Sequence, residues 1–244
     1  MDYSFAQWIG TRERQEDSGD VMQSGDGLVM IVCDGMGGHD AGDVASQTAV
    51  NAYLDMLGHA SANSIPELME MALRHANEAV RERFANLKAH GGTTLLSTYF
   101  SGGVLWWISV GDSPLYLWRQ NRLIRLNADH SMRSEMEQLF SRGQVSYLQL
   151  VRQSHYLRSA LTGQEIDEID VTRVPYPLLP GDKLLVSSDG IEAWLENVRL
   201  RAPQKLGQLF SLPTSRIAQC IIDEVMDFAE PNQDNTTVIV AEPF

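Results

Sequence analysis

Five acidic clusters recur at or near the ends of apolar, β-prone runs, and they limit what this chain can fold into. They are Arg12-Glu13-Arg14-Gln15-Glu16-Asp17, Asp34-Gly35-Met36-Gly37-Gly38, Gly111-Asp112-Ser113, Ser188-Asp189-Gly190 and Asp234-Asn235-Thr236-Thr237. One Asp-Gly after a strand is an ordinary turn. Five carboxylate-bearing strand ends, spread over most of the sequence, call for a fold that gathers them. Gathered carboxylates need positive charge to neutralise them, and hard divalent cations are the natural source.

The bulk composition allows such a fold. The 244 residues are 43% hydrophobic and 21% charged, as expected for a globular protein with a sizeable core. No apolar run approaches the length of a membrane span, and the N-terminus shows no secretory pattern, so the expected location is cytoplasmic. Cys33 and Cys220 form neither a disulfide framework nor a CxxC metal motif. Cys33 follows Met30-Ile31-Val32 and reads as a small core residue. The net charge of −13 argues against a nucleic-acid partner.

No repeat, low-complexity tract or linker divides residues 1–244, which read as one domain. Tyr3–Trp8 and Leu28–Cys33 read as strands, and apolar spacing predicts a helix from about Asp43 to Leu57. Ser64-Ile65-Pro66-Glu67 fits a capping box with Pro in the first turn. The helix it opens carries a predicted apolar face of Leu68, Met71, Ala72, Ala76, Ala79, Val80, Phe84 and Leu87. Short strands follow at Thr94–Phe100, Val104–Val110, Leu115–Arg119 and Arg122–Leu126, with hairpin turns at Ser101-Gly102-Gly103 and Gln120-Asn121. Residues 131–154 are polar with weak helical periodicity. Lys183–Ser187 and Thr236–Ala241 are strands, with a helix near Ser215–Phe228 between them. Helical blocks around antiparallel strands indicate an α+β fold. In the Trp106-Trp107 pair, one ring is expected in the core and the other on the outer face.

The acidic residues can be read as ligands. Asp34 and Asp189 each emerge from an apolar strand and precede Gly, and Gly35, Gly37 and Gly38 permit unusual backbone angles that turn a carbonyl inward. An all-oxygen set without patterned His or Cys selects Mg²⁺ or Mn²⁺ over zinc. For any single Asp a turn is the commoner explanation, and only the joint pattern favours metal. The EF-hand spacing, the P-loop and the dinucleotide fingerprint are all absent. His39 and His130 read as loop-structuring residues, while His59, His75, His90 and His155 show no ligand spacing.

Asp34-Gly35-Met36-Gly37-Gly38-His39, with Gly42 and Ala45-Ser46 after it, resembles the central signature of the metal-dependent type-2C protein phosphatases, the PPM family. Arg12-x-x-Gln15-Glu16-Asp17 is similar to that family's opening motif. Gly92-Thr93-Thr94, Gly111-Asp112-Ser113, Asp129-His130-Ser131, Ser188-Asp189-Gly190 and Asp234-Asn235-x-Thr237 match later motifs in the same order. The resemblance spans nearly the whole chain and looks like a bacterial stand-alone member.

The resemblance implies a four-layer αββα sandwich, two antiparallel sheets flanked by helix pairs, with two Mn²⁺ or Mg²⁺ ions at one edge. By position, Asp34 bridges both metals; Glu16 and the Gly35 carbonyl serve one, Asp189 and Asp234 the other. Asp17 orients metal-bound water. Asp112 with Asp189 matches the position of a third, weaker metal, and Arg12 clamps the substrate phosphate. The implied activity is hydrolysis of phosphoserine and phosphothreonine in proteins by a metal-bridging hydroxide, without a covalent intermediate, opposing a cognate Ser/Thr kinase. Residues 131–154 correspond to a variable flap, where Arg133, Arg142 and Arg152 are either candidates to meet substrate or ordinary solvated loop charges.

Three residues depart from the pattern. Met36 stands where animal relatives carry a His thought to protonate the leaving group, which leaves a metal-bound water as the preferred acid. Gln15 replaces Asn, and Pro114 replaces Arg. A different reading is a catalytically weak, phosphoprotein-binding regulatory module, disfavoured by the intact Glu16, Asp34, Asp189 and Asp234. A metal-dependent nuclease conflicts with the acidic balance.

Overall fold

The computed structural model describes residues 1–37, 41–60, 62 and 64–244. Gly38 and His39 of the glycine-rich motif lie outside the described residues. The chain opens with β1 (Asp2–Trp8), β2 (Asp17–Ser24) and β3 (Gly27–Met36), followed by α1 (Gly42–His59) and α2 (Ile65–Leu87). A run of strands comes next: β4 (Gly92–Thr93), β5 (Leu95–Ser101), β6 (Val104–Val110), β7 (Leu115–Arg119) and β8 (Arg122–Arg125). Helices α3 (Arg133–Ser141) and α4 (Tyr147–Gln153) precede β9 (Asp170–Val171), β10 (Tyr176–Pro177) and β11 (Lys183–Ser187). A 3₁₀ turn (Asp189–Ile191) leads into α5 (Glu192–Arg201), α6 (Gln204–Phe210), α7 (Thr214–Phe228) and β12 (Thr236–Glu242).

The strands form two sheets. One runs β1-β12-β11-β7-β8; the other runs β10-β6-β5-β3-β2, with β4 joining β3 and β9 joining β6. Every strand pair is antiparallel. Alternation along the strands divides the core into layers. On β3, Leu28, Met30 and Val32 face the other sheet, while Val29, Ile31 and Cys33 face α1 and α2. On β12, Ile239 and Ala241 join the central layer, and Val238 and Val240 face the α5–α7 block. Both sheets are thus covered on both faces, which explains why their central strands read as continuous apolar runs rather than alternating ones.

Local sequence determines several of these features. Ser64 caps α2 by accepting a hydrogen bond from the Glu67 N–H at 3.4 Å. Gln120 and Asn121 both take positive φ, 51° and 61°, the geometry that turns a two-residue hairpin with the twist of its strands. Two expectations are corrected. The buried face of α2 is Met69, Ala72, Leu73, Ala76, Val80 and Phe84, whereas Met71 and Leu87 are exposed. The stripe facing the sheet and α1 is centred on Ala72 and Ala76, and a residue one step along a helix lies about 100° away. Trp106 and Trp107 do point to opposite faces, but neither is an outer-face residue. Trp106 packs under the helices and Trp107 between the sheets, because helices cover the face expected to meet solvent.

Ile239 is fully buried between the sheets. Ile239→Ala is expected to cost about 2–5 kcal/mol, read as a lower urea midpoint at unchanged slope.

Candidate active site

Antiparallel pairing decides where the carboxylates meet. β3, β6 and β11 run toward one edge of the sandwich, and β2 and β12 start from it. Asp34, Asp112 and Asp189 therefore leave strand ends at the same rim from which Asp17 and Asp234 enter. Asp17 and Asp34 are direct register partners on β2 and β3. The rim opens into a groove of about 760 Å³, lined by Arg12, Glu16, Asp34, Gly35, Asp112, Asp189 and Asp234 among others. Every predicted site residue except Asp17 lines this groove. Asp17 lies beneath it, only 4% exposed.

The backbones carrying these groups are tied down closely. The Asp34 N–H donates to Thr94 Oγ1 at 2.9 Å, and its carbonyl accepts from Thr93 Oγ1 and the Thr94 N–H, each at 2.9 Å. The Glu16 N–H donates to Asn235 Oδ1 at 2.7 Å, and the Asn235 side chain donates to the carbonyls of Ile9 and Arg14. Gly35 lies in β3 without positive φ, so its glycine is required by close approach rather than by an unusual backbone angle. A Cβ there would sit 2.2 Å from the Gly42 carbonyl oxygen, and one at Gly42 would sit 2.7 Å from the Glu16 carboxyl group. The two glycines give Glu16 its place beside Asp34.

Charge is crowded here. Burial, and then the negative charge of Asp17, pushes the Asp34 carboxyl well above its ordinary value. Burial and Asp189 do the same to Asp112, and burial and Asp234 raise Asp189. Asp17 is pushed from 3.8 to about 7, mainly by burial, although hydrogen bonds from Ser188 and Thr237 oppose the rise. Glu16 is raised by burial and by Asp43.

An all-oxygen donor set that is raised by desolvation and mutual repulsion fits hard divalent cations. Asp17 Oδ1 is also buried with no hydrogen-bond partner among the described residues. Among the described residues, no three His, Cys, Asp or Glu side chains form a ready-made coordination shell. Arg12 responds to the same field. Its Nη2 donates to Asp234 Oδ2 at 2.5 Å. Both side chains are substantially exposed, so the pair is worth at most about 1 kcal/mol and a stronger anion can draw Arg12 away.

His130 has the loop-structuring place expected of it, while Arg125 was left without a role by sequence reading. His130 Nδ1 accepts the Gly111 N–H at 3.1 Å, and burial lowers its pKa, so it acts as a neutral loop brace. Behind Asp112, Arg125 donates to the Asp112 carbonyl and pairs with Asp129. Arg133 pairs with Glu192 at 3.2 Å and lines a pocket together with Asp189 and Asp234. His155 showed no ligand spacing, yet tertiary folding brings it to the groove wall, near enough for its charge to oppose the rise of Asp189. Met36 lines the groove and offers no proton.

A carboxylate pit on the rim of an αββα sandwich is the arrangement of a metal-assisted hydrolase. The family model for protein phosphatase 2C matches residues 9–227, and the chain belongs to that family. The serine/threonine phosphatase stp of Listeria welshimeri is 30% identical, over 95% of this chain and 91% of that protein. The crystal structure of Mycobacterium tuberculosis PstP/Ppp superposes with a TM-score of 0.79 at 26% identity, covering 99% of this chain and 97% of that one. A PstP catalytic domain solved with two manganese ions gives 0.77 at 27% identity, with 99% and 97% covered.

Two thermal measurements test the electrostatics. In EDTA, Asp189→Asn is expected to melt higher than wild type, because one buried charge is removed. With Mn²⁺ the order reverses, since wild type gains about 2.7 kcal/mol at a metal concentration 100 times Kd and the variant gains less. For Asp17, a carboxyl raised from 3.8 to about 7 supports the fold below 3.8 and loses that support as pH rises through about 7. Metal-free wild type should therefore lose stability relative to Asp17→Asn across that window, read from Tm at stepped pH.

Proposed function

We propose that the chain is a metal-dependent phosphoserine/phosphothreonine protein phosphatase. The observation that carries this reading is the convergence of Glu16, Asp34, Asp112, Asp189 and Asp234 with Arg12 around one open groove. In this reading Asp34 would be shared by two Mn²⁺ or Mg²⁺ ions, with Glu16 and the Gly35 carbonyl to hold one and Asp189 and Asp234 the other, while Asp112 with Asp189 would offer a third, weaker position. When bound, the ions supply a nucleophilic water near neutral pH and offset charge on the phosphoryl oxygens.

The chain's own groups do the rest. Arg12 releases Asp234 and forks onto two phosphate oxygens, which fixes the phosphoryl group and neutralises charge as the bond breaks. Asp17 accepts a hydrogen bond from the attacking water and orients it. The described residues provide no paired nucleophile and base, consistent with direct attack by water. Met36 at the groove wall has no proton to give the departing serine or threonine oxygen, so the acid would be a water held by the ions. No helix among the described residues is long and apolar enough to cross a membrane. We infer that the enzyme works in the cytoplasm as one catalytic domain, on phosphoproteins made by a cognate Ser/Thr kinase.

Turnover of a phosphothreonine peptide with Mn²⁺ tests the reading. Asp34→Asn is expected to lower kcat by about 10³-fold, and EDTA to abolish turnover. Arg12→Ala should raise KM and lower kcat/KM by about 10- to 100-fold. Metal-replete wild type that turns over no faster than Asp34→Asn would falsify the enzyme assignment and favour the phosphoprotein-binding alternative.

A further inference from the structure

Asp17 belongs to the β2–β3 sheet, but its side chain is held from the other one. Its Oδ2 accepts hydrogen bonds from Ser188 Oγ at 2.7 Å and Thr237 Oγ1 at 2.8 Å. The direction of both hydroxyl protons follows from what the hydroxyl oxygens accept. Ser188 Oγ takes the Thr237 backbone N–H at 3.0 Å, and Thr237 Oγ1 takes the Gln7 side-chain N–H at 2.9 Å. A hydroxyl has one proton to give. With a donor already aimed at each oxygen, both protons go to Asp17 Oδ2. Gln7 is itself placed by the sheet, being the register partner of Thr237. Oδ1 is left buried and without a partner among the described residues, on the carboxylate whose charge bears most on Asp34.

We propose that Ser188, Thr237 and Gln7 are positioning residues for the reaction. Two oriented hydroxyls saturate Oδ2 of Asp17 and so present Oδ1 as the acceptor for the attacking water. The proposal rests on the phosphatase reading and adds to it the source of Asp17's orientation. It also gives a task to the Ser of Ser188-Asp189-Gly190 and to the Thr of Asp234-Asn235-x-Thr237, neither of which is a metal ligand in that reading. A simple brace between the sheets would use the same hydrogen bonds, so the test must separate the two roles.

Full-length Thr237→Val, Thr237→Ser, Ser188→Ala, Gln7→Leu and the Ser188→Ala/Thr237→Val double variant are assayed on a phosphothreonine peptide at saturating Mn²⁺. Tm and the Mn²⁺ midpoint are measured alongside. Thr237→Val keeps the side-chain shape and removes the proton. It and Ser188→Ala should lower kcat by about 10- to 100-fold with KM and the Mn²⁺ midpoint little changed. Thr237→Ser should restore most of the loss. The double variant should lose less than the product of the single losses, since both hydroxyls serve one oxygen. Gln7 is exposed on β1, so Gln7→Leu reports on the relay without a core change and should lower kcat in the same direction, but less.

Wild-type kcat in Thr237→Val and Gln7→Leu overturns the proposal. So does a loss matched by a weaker Mn²⁺ midpoint, a lower Tm with kcat per folded molecule unchanged, or failure of Thr237→Ser to rescue. Absence of turnover in wild type overturns the phosphatase reading and this inference with it. Wild-type turnover with unaffected variants overturns the inference alone.

Discussion

Carboxylates repel one another, and here several are held at one rim because the backbones that carry them are hydrogen-bonded into two sheets. The mutual cost is visible in Asp34, Asp112 and Asp189, each raised by burial and by another member of the cluster. Core burial along β3, β11 and β12 provides the stabilisation that offsets this repulsion. The apolar runs and the acidic ends are therefore two parts of one design. The strands make the rim rigid, and the rim keeps charges close that would otherwise separate.

The same constraint explains the dense small-residue chemistry around the pit. Thr93 and Thr94 fix both backbone groups of Asp34, while Asn235 spans from Glu16 to the carbonyls of Ile9 and Arg14. Gly35 and Gly42 admit contacts that any Cβ would block. A cation site built this way needs little rearrangement beyond the carboxylates themselves. Arg12 is the exception, an exposed side chain that meets Asp234.

A neighbouring pocket, which shares Arg12, Asp189 and Asp234 with the groove, is walled by Arg133, Glu137, Tyr147 and Leu150 of the α3 and α4 segment. That segment is lightly anchored: Met136 is the buried residue of α3, and α4 buries none. A capping box formed by Ser146 and Gln149 and an edge contact of Phe140 with Tyr147 give it local order. It presents Tyr147 and Leu148 to solvent beside the groove. The sandwich thus carries the carboxylates, and a sparsely packed segment lies next to it.

Much of the fold was legible because its signals are local. The strands from 95 to 125, the Gln120-Asn121 hairpin and the Ser64 cap depend on residues within a few positions of one another. The α2 face was partly misread, since which of several apolar stripes is buried depends on what packs against it. β2 escaped detection because Asp17–Ser24 is polar, a strand through pairing with β3 rather than through its own pattern. The sequence by itself determined the oxygen donors, their order and their attachment to apolar strand ends, since these are properties of residue type and neighbour. Tertiary structure alone decided that Arg12 meets Asp234, that Arg133 is tied to Glu192, and that His155 reaches the groove. It also decided that Ser188, Thr237 and Gln7 converge on Asp17. Ser188 and Thr237 lie 171 and 220 positions from Asp17, and only closure of the two sheets brings such distant groups within hydrogen-bonding range.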